Sequence, residues 1–307
     1  MTRRPQPLTR LTVATGALAL LLAACARAPQ RPSLAGPGVP PGGIDHGVAT
    51  DQLVLRIDTI PGPTIHPGSS TNIPSFSLFG DGTLVTLGPH VTIYPSSALP
   101  SLHERHLTEA GVQAVLAAAG RAGLLGPDRA YDTPPIPDAG TTIFTVIAGG
   151  STHTVRVLGL GSGITDGTPM QQVKTRQALS AFAARLDDLT SWLPAGSVGT
   201  ETPYRIERLQ VNIRPGAPQL ASGLSQESLD WPLSPGLVAW GSLQQGPGPV
   251  RIDVRCGAAA GPDLAALLPS VRTANTLTAW RSGGDLFALT FTPLLPDQAA
   301  CPPSPAI

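Results

Sequence analysis

Residues 75–87 read SFSLFGDGTLVTL, with an apolar run on each side of the pair Asp81-Gly82. Asp-Gly between alternating apolar residues is a strong short-range signal for a β-hairpin. If this pair is a two-residue turn, the register gives three facing pairs: Leu78 with Val85, Phe76 with Leu87, and Ser77 with Thr86. The two apolar pairs then share one face and the polar pair lies on the other. The stretch predicts an antiparallel hairpin with one buried face.

Two other segments have the same pattern around a Gly-Gly pair. Residues 141–157 read TTIFTVIAGGSTHTVRV, and residues 276–292 read TLTAWRSGGDLFALTFT. Glycine readily adopts the positive φ angles of two-residue hairpin turns. We therefore predict two more hairpins, with these facing pairs: Phe144 with Val155, Val146 with His153, and Trp280 with Phe287.

Helical spacing appears between the hairpins. Thr108 is a suitable N-cap for a helix with an apolar stripe at Val112, Val115, Leu116 and Ala119. A second helix is expected to start at Thr168 and Pro169 and to end before Pro194. Its apolar stripe consists of Leu179, Phe182, Leu186, Leu189 and Leu193.

The remaining segments complete the expected architecture. Residues 52–60, 204–213 and 250–255 are strand candidates, 262–268 is a candidate short helix, and 87–102, with three prolines, is expected to be an irregular loop. Together these elements predict an α+β fold of antiparallel hairpins with packed helices, in two subdomains. We place the first at 50–194 and a smaller second one at 203–301, joined by a linker at 198–202.

The N-terminal region has the organisation of a bacterial signal peptide. Three arginines within the first ten residues precede an uncharged, mostly apolar run of 14 residues, 11–24. This run is shorter than the roughly 20 residues that span a membrane. Residues 22–25, LAAC, resemble the lipobox of bacterial lipoproteins, in which the cysteine thiol receives a diacylglyceryl group. We predict a signal peptide at 1–24 and lipidation at Cys25; the alternative is an ordinary secretory signal that contains a cysteine.

A segment rich in Pro, Gly and small residues, 25–49, follows the signal peptide. This composition is typical of a linker, so we expect a tether between the membrane and the folded body. The double arginine at Arg3-Arg4 leaves the export route open between general secretion and twin-arginine transport. Either route leads to the extracytoplasmic face of the cell membrane.

Charge excludes one class of partner. The chain has 20 basic and 20 acidic residues, and removal of 1–24 takes away three arginines and no acid, which leaves 17 basic against 20 acidic groups. Only one basic residue, Lys174, is a lysine. Nucleic-acid binding needs a basic stripe, and this balance does not provide one.

Two cysteines remain after the lipidated one, Cys256 and Cys301. An isolated pair in an exported protein is most simply a disulfide. The alternative, a metal site, lacks neighbouring His or Cys ligands in the sequence. We predict a Cys256–Cys301 disulfide and no cofactor.

Several of these segments together resemble uncharacterised domains in secreted lipoproteins of actinobacterial type. The resemblance is carried by FSLFGDGTLV (76–85), LTEAGVQAVLAAAGRAGLL (107–125), DAGTTIFTVIAGGSTHTVRV (138–157) and TPLLPDQAAC (292–301). It covers residues 75–192 and the C-terminal run. The resemblance implies an envelope location and an α+β fold, and it assigns no catalytic or binding residue.

The segment His103-Glu104-Arg105-His106 invites a metal-site interpretation. Zinc-binding helices place two His four residues apart with a Glu between them, whereas here the spacing is three. A third ligand would have to come from His66 or His90. We therefore expect a polar loop in front of the first helix rather than a metal site.

Three further features suggest chemistry but favour a structural role. Residues 159–163, GLGSG, including Ser162, fit neither a dinucleotide nor a Walker fingerprint, so we expect a flexible connection. His153 shares a hairpin face with apolar residues and is expected to be a hydrogen-bonded, partly buried side chain rather than a general base. Trp231, Trp240 and Trp280 are expected in the core rather than on a sugar-binding or peptide-binding surface.

The sequence thus favours a non-catalytic binding or accessory module, tethered to the membrane by its lipid anchor, that acts on an envelope or exported protein. The alternative is an envelope hydrolase with a dispersed active site. A nucleophile elbow and a Ser-x-x-Lys motif are both missing from the sequence. A catalytic site would therefore need a Ser, a His and a carboxylate from separate segments in one cleft.

Overall fold

The computed structural model describes residues 42–62, 73–89, 93–132, 138–162, 168–219, 226–244 and 254–302. All of them belong to one compact unit, residues 36–307. The signal peptide, Cys25, His66, His90, Gly163 and most of the tether lie outside the described residues. Within the described part, no helix is long and apolar enough to cross a membrane.

The described residues form three α-helices and fourteen strands. Elements in the first half are β1 (Leu53–Ile60), β2 (Phe76–Phe79), β3 (Thr83–Leu87), β4 (Leu102–His106), α1 (Glu109–Arg121), β5 (Arg129–Tyr131), β6 (Thr141–Ala148), β7 (Ser151–Leu158) and α2 (Met170–Asp187). Elements in the second half are β8 (Thr202–Pro203), β9 (Arg208–Pro215), β10 (Leu229–Asp230), β11 (Ser242–Leu243), β12 (Arg255–Ala260), α3 (Gly261–Thr273), β13 (Ala279–Ser282) and β14 (Asp285–Pro293).

The strands make two sheets. The first has eight strands in the order β5-β7-β6-β1-β2-β3-β4-β8, and the second has six in the order β10-β13-β14-β9-β12-β11. All neighbours are antiparallel except β5 with β7 and β10 with β13, which are parallel. The predicted α+β fold with hairpins and packed helices is confirmed.

The hairpin at 75–87 forms, but its predicted register is wrong by one residue. Phe76 faces Thr86 and Leu78 faces Leu84, which leaves a three-residue loop, 80–82. Gly82 takes a φ of 90° there and its N–H donates to the carbonyl of Phe79. A type I turn closed by a left-handed glycine is the usual three-residue hairpin loop. The shift exposes Leu87, which the two-residue turn had assigned to the buried face.

The two Gly-Gly hairpins are confirmed in the predicted register. Phe144 faces Val155 across β6 and β7, and Trp280 faces Phe287 across β13 and β14. Both glycines of each turn have positive φ. A side chain is strained in this conformation, which explains why glycine occupies these four positions.

Helix α1 is capped by hydrogen bonds at both ends. The Thr108 side chain accepts the N–H of Gly111, as the N-cap prediction states. At the other end, the N–H of Gly123 donates to Gly120 and the N–H of Leu124 donates to Ala119. These two bonds, with Gly123 at φ 86°, form a Schellman motif. The motif turns residues 123–127 back across the end of the helix.

Helix α2 differs in detail from its prediction. Its N-cap is Pro169, without a side-chain capping bond, so the expected cap at Thr168 is one residue early. The helix ends at Asp187 rather than before Pro194, and a single 3₁₀ turn follows at Leu189–Ser191. The predicted apolar stripe is nevertheless buried along its whole length.

Helices α1 and α2 pack on one face of the first sheet, around Leu78, Phe144 and Leu179. The other face has a smaller core that contains Phe79, Val85 and Leu295. All four residues of β2 are therefore buried. A strand that is covered on both sides lacks the polar face that simple alternation predicts.

The C-terminal segment after β14 covers the face of the first sheet opposite the helices. Leu295 is 1 % exposed in the core opposite the helices, and Asp297 forms an ion pair with Arg56 of β1 at 2.7 Å. Arg208 donates from Nη2 to the carbonyls of residues 295, 296 and 298. The segment thus connects the second sheet to the back of the first.

Tyr204 strengthens this connection, because its hydroxyl donates to the carbonyl of Leu294 at 3.3 Å. Burial, followed by the charges of Glu207 and Glu104, raises the pKa of Tyr204 to about 12. The phenol therefore stays protonated and remains a donor at neutral pH. Residue 204 was expected within a strand, but β9 begins only at Arg208.

Residues of the first half also contact the core of the second sheet. In the loop between β3 and β4, the N–H of Ala98 donates to the carbonyl of Ala274, and Leu99 packs against the core of the second sheet. The predicted linker 198–202 is hydrogen-bonded along β4, through the N–H of Gly199 and the strand β8. Each sheet is therefore in contact with segments that belong, in sequence, to the other half.

The second sheet packs against α3, which spans thirteen residues rather than the expected seven at 262–268. Its core includes the three tryptophans as predicted: Trp231 meets Trp240 and Trp280 edge to face, with ring centroids 5.3 and 6.2 Å apart. Strand β12 begins at Arg255, the last residue of the predicted strand 250–255, whose first four residues lie outside the described part.

Cys256 and Cys301 are at disulfide-bond distance, with the two sulfur atoms 2.08 Å apart. The bond joins β12 to the segment that carries Leu295. A loop closed over a sequence separation of 45 residues contributes roughly 4 kcal/mol by the chain-entropy estimate.

We expect the double variant Cys256→Ala/Cys301→Ala to lose up to this amount in free energy of unfolding, because the C-terminal segment loses its covalent attachment. Urea unfolding of the two proteins measures the difference. Iodoacetamide labelling of the protein unfolded in urea without a reductant should modify neither Cys256 nor Cys301, because only free thiols are alkylated. Labelling of both peptides, or equal unfolding midpoints, would contradict the prediction.

Candidate functional site

The segment His103-Glu104-Arg105-His106 is not a loop, as the sequence predicted, but the strand β4. It pairs with β3 along its whole length and with β8 at one edge. Its polar composition conceals a strand because β4 lies near the edge of the sheet, where most of its side chains are only partly buried. Alternation along the strand puts His103 and Arg105 on one face and Glu104 and His106 on the other.

His103 and Arg105 converge on one carboxylate, that of Glu201. The His103 Nδ1 lies 2.7 Å from Glu201 Oε1, and Arg105 Nε donates to Oε2 at 2.8 Å. On the other side of the ring, Nε2 lies 3.3 Å from the hydroxyl of Ser101. Ser, His and Glu are therefore hydrogen-bonded in series, in the order that hydrolases use to activate a serine.

Hydrogen bonds from Arg105, then from His103, hold the pKa of the Glu201 carboxyl below its ordinary value. The carboxylate is thus ionised at neutral pH. A carboxylate only accepts hydrogen bonds, so Nδ1 is the donor to Glu201, and Nε2 faces the Ser101 hydroxyl. The three side chains thus have the arrangement in which the imidazole of a hydrolase takes the proton of its serine.

Gly88 packs against this pair, because a Cβ placed on it would lie 2.5 Å from the Ser101 hydroxyl and 2.9 Å from His103 Nε2. Its N–H donates to the carbonyl of Ser101 at 2.9 Å. This donor is therefore occupied and does not serve as an oxyanion hole, the feature that contributes most to acyl transfer.

The other predicted candidates have structural surroundings. His106 Nδ1 bonds to the carbonyl of Leu107, and no three potential metal ligands cluster among the described side chains. His153 is partly buried and bonds through Nδ1 to the carbonyl of Gly126 at 2.8 Å, as predicted. In the segment 159–163, Gly159 and Ser162 close a tight turn after β7.

A groove that the sequence analysis did not single out lies at the β5 edge of the first sheet. It has a volume of about 650 Å³, within the range of small-molecule sites. Its walls are the end of α1 with the loop that follows, the first half of α2, and strands β5 and β7. We call it the basic groove, after the three cationic side chains in its wall: Arg121, Arg129 and Lys174.

The three cations come from three different elements, α1, β5 and α2. None of them forms an ion pair with a described residue. The described lining contains no Asp or Glu. Asp128 and Asp132 flank β5 outside this lining, and Asp128 accepts the N–H of Thr154 at 2.8 Å.

The wall also contains apolar side chains: Leu125 is partly buried and Pro127 and Ala178 are exposed, whereas Val155 and Leu179 belong to the core. The Schellman turn of α1 positions Leu125, and the bond from His153 to Gly126 holds the same loop against β7.

The buried Arg176 donates to the carbonyls of Leu158 and Tyr131 and thereby fixes α2 to the ends of β5 and β7. Desolvation by burial lowers the pKa of this guanidinium.

A second cleft, in the other sheet, is lined by Val238, Leu243 and Leu286 among others. These apolar side chains are 64, 60 and 40 % exposed. Residues 245–253, between β11 and β12 in the sequence, lie outside the described part. We therefore assign no ligand to it.

The sequence contains one signal for the basic groove: Lys174, the single lysine of the chain, lies in its wall. The signal for the Ser101-His103-Glu201 cluster was weaker, because Glu201 is 98 residues from His103. Comparison with known protein families, curated proteins and solved structures finds no match for this chain.

The depressed pKa of Glu201 predicts a pH-dependent contribution to stability. A carboxyl with a lowered pKa in the folded state stabilises the protein above its unfolded-state pKa, and the contribution is lost as pH falls through the folded value. At pH 7 we expect Glu201→Gln to lower the free energy of unfolding by under about 1 kcal/mol, since Glu201 and its partners Arg105 and His103 are partly exposed. Unfolding curves from pH 7 to pH 3 should show this gap closing below about pH 4.

Glu227→Gln is the matched control, because Glu227 forms no ion pair with a described residue. We expect no comparable gap for it. A gap for Glu201→Gln that persists unchanged at pH 3 would show that the substitution acts by another route.

Proposed function

We propose that this chain is a bacterial envelope lipoprotein, held at the extracytoplasmic face of the cell membrane through Cys25, and that its body is a non-catalytic binding or accessory module. The lipobox-like segment 22–25 supports the anchor. The cysteine pair at disulfide distance supports an exported location, because disulfides persist outside the reducing cytosol. We also propose that it belongs with the secreted lipoproteins of actinobacterial type that its sequence resembles.

The basic groove is the observation that carries the binding function. Three cations that form no ion pair with a described residue, beside apolar side chains, make a recognition surface for a ligand that neutralises them. The described lining contains Lys174, Tyr131 and Thr175 but no imidazole, thiol or carboxylate that could act beside them as a general base. The groove is therefore suited to holding a component of the envelope rather than transforming it.

The Ser101-His103-Glu201 cluster supports a second candidate function, hydrolysis. It meets the requirement that a Ser, a His and a carboxylate from separate segments lie together. Two features make it the weaker candidate. The N–H of Gly88 is occupied, and Arg105 already neutralises the carboxylate that would stabilise an imidazolium.

Photocrosslinking distinguishes the two functions. We expect a photoreactive residue at Ala178, in the wall of the groove, to capture an envelope component in living cells. The same residue at the exposed Ala265 of α3 should capture nothing specific. Capture at Ala178 should persist in Ser101→Ala, His103→Ala, His106→Ala and Ser162→Ala backgrounds, because these side chains lie outside the groove.

Ester hydrolysis by the purified protein provides the opposing measurement. If the protein hydrolyses an activated ester and Ser101→Ala abolishes this activity, the hydrolase is the correct function. Equal capture at Ala178 and Ala265 would also contradict a binding role for the groove.

The anchor has its own test. We expect Cys25→Ser to leave the signal peptide uncleaved or to release the protein from the membrane, because the acceptor thiol of the diacylglyceryl group is gone. Incorporation of radiolabelled fatty acid should fall to background, whereas Cys301→Ser should retain it. Unchanged labelling in the Cys25 variant would exclude lipidation at this residue.

A further inference from the structure

We propose, on the basis of the binding function above, that the basic groove takes an anionic amphiphile: an alkyl chain with a phosphate or carboxylate head. The head would lie among Arg121, Arg129 and Lys174, and the chain against the apolar side chains of the wall. This assigns a chemical class of ligand to a site that was defined above only by its geometry.

The head group follows from the distribution of charge. The body is sparsely charged, since only 13 % of all residues are Asp, Glu, Lys or Arg, and after signal-peptide removal acids outnumber bases. Three cations without described ion-pair partners at one groove are therefore a local exception. Two arginines and a lysine favour phosphate or carboxylate, which guanidinium groups bind with paired hydrogen bonds.

The acidic neighbours form no ion pair with these cations among the described residues. Asp128 accepts the N–H of Thr154, and neither Asp128 nor Asp132 lines the groove. The C-terminus of α1 contributes partial negative charge near Arg121, which offsets only part of that one side chain.

The alkyl chain follows from the apolar side chains in the wall of the groove. Leu125, Pro127 and Ala178, from the α1 loop and α2, are at least partly exposed to solvent. Along α2 the lining extends from Gln171 to Leu179, which corresponds to about 12 Å of helix. An inorganic anion would leave this surface in water, whereas a chain along it would bury apolar area on both sides.

Lys174 makes the proposal directly testable because it is the only lysine in the chain. Reductive methylation with formaldehyde and dimethylamine borane modifies neutral amines, so an anion paired with Lys174 slows its modification. Peptide mass spectrometry separates Lys174 from the terminal amine. The protein is used as the full mature chain in neutral phosphatidylcholine vesicles.

Octyl phosphate below its micelle concentration should slow methylation of Lys174 at least about twofold, as expected for a pair formed at half saturation or more. Inorganic phosphate and octyl glucoside, which lack the chain and the charge respectively, should have no effect at the same concentration. Arg129→Gln should raise the octyl phosphate concentration that gives half-maximal protection of Lys174 by about fivefold. Arg272→Gln, on the exposed side of α3, should leave it unchanged.

Vesicles with added phosphatidylglycerol identify the source of the ligand. Protection by these vesicles as well as by octyl phosphate supports a membrane lipid, and protection by octyl phosphate alone supports a soluble amphiphile.

Equal protection by inorganic phosphate would overturn the alkyl-chain part of the proposal, and equal protection by octyl glucoside would overturn the anionic part. Absence of protection by octyl phosphate, or the same fivefold shift in Arg272→Gln, would overturn the whole inference. Crosslinking at Ala178 reports separately on the binding function. Capture there without protection by octyl phosphate would reject this ligand class and leave the binding function standing.

Discussion

The return of the C-terminal segment to the back of the first sheet is the constraint on which the rest of the structure depends. Helices α1 and α2 cover only one face of that sheet, and β2 is buried on both. Leu295, which follows β14 in the chain, covers the other face. Arg208, Tyr204, the Arg56–Asp297 ion pair and the Cys256–Cys301 link all hold this short segment in place.

This arrangement explains why the two sheets are found in one compact unit although their cores are separate. A segment of the first half, around Ala98, packs on the second core, and a segment of the second half packs on the first. Each core is closed by residues distant in sequence. Separation of the halves would expose Leu295 and Leu99 to water, which carries an unfavourable free energy in proportion to the apolar area exposed.

The same packing leaves the two candidate sites at opposite ends of the first sheet. The α-helices cover the centre, so the edge strand β5 borders a groove at one end. At the other end, β4 and β8 bring Glu201 beside His103. The groove concentrates positive charge that has no ion-pair partner among the described residues, whereas the cluster at β4 is internally paired. This difference is the physical reason for assigning recognition to the groove and a mainly structural role to the cluster.

Local sequence determined much of the secondary structure. The Gly-Gly turns, the Thr108 cap and the apolar stripe of α2 depend on interactions within a few residues, and they form where the pattern predicts them. The tryptophan core and the cysteine pair were also predictable, because burial and pairing follow from residue type. The register of the first hairpin was not, because Gly82 at positive φ supports a three-residue loop as well as a two-residue turn.

Tertiary structure alone decided the features that depend on distant residues. His103-Glu104-Arg105-His106 becomes a strand only because β3 and β8 supply its partners, and its polar side chains give no periodic signal of their own. The groove likewise needs Arg121, Arg129 and Lys174 to converge from three elements. A sequence records the identity of such residues but not their distance, since the packing of α1 and α2 on the sheet determines which side chains meet.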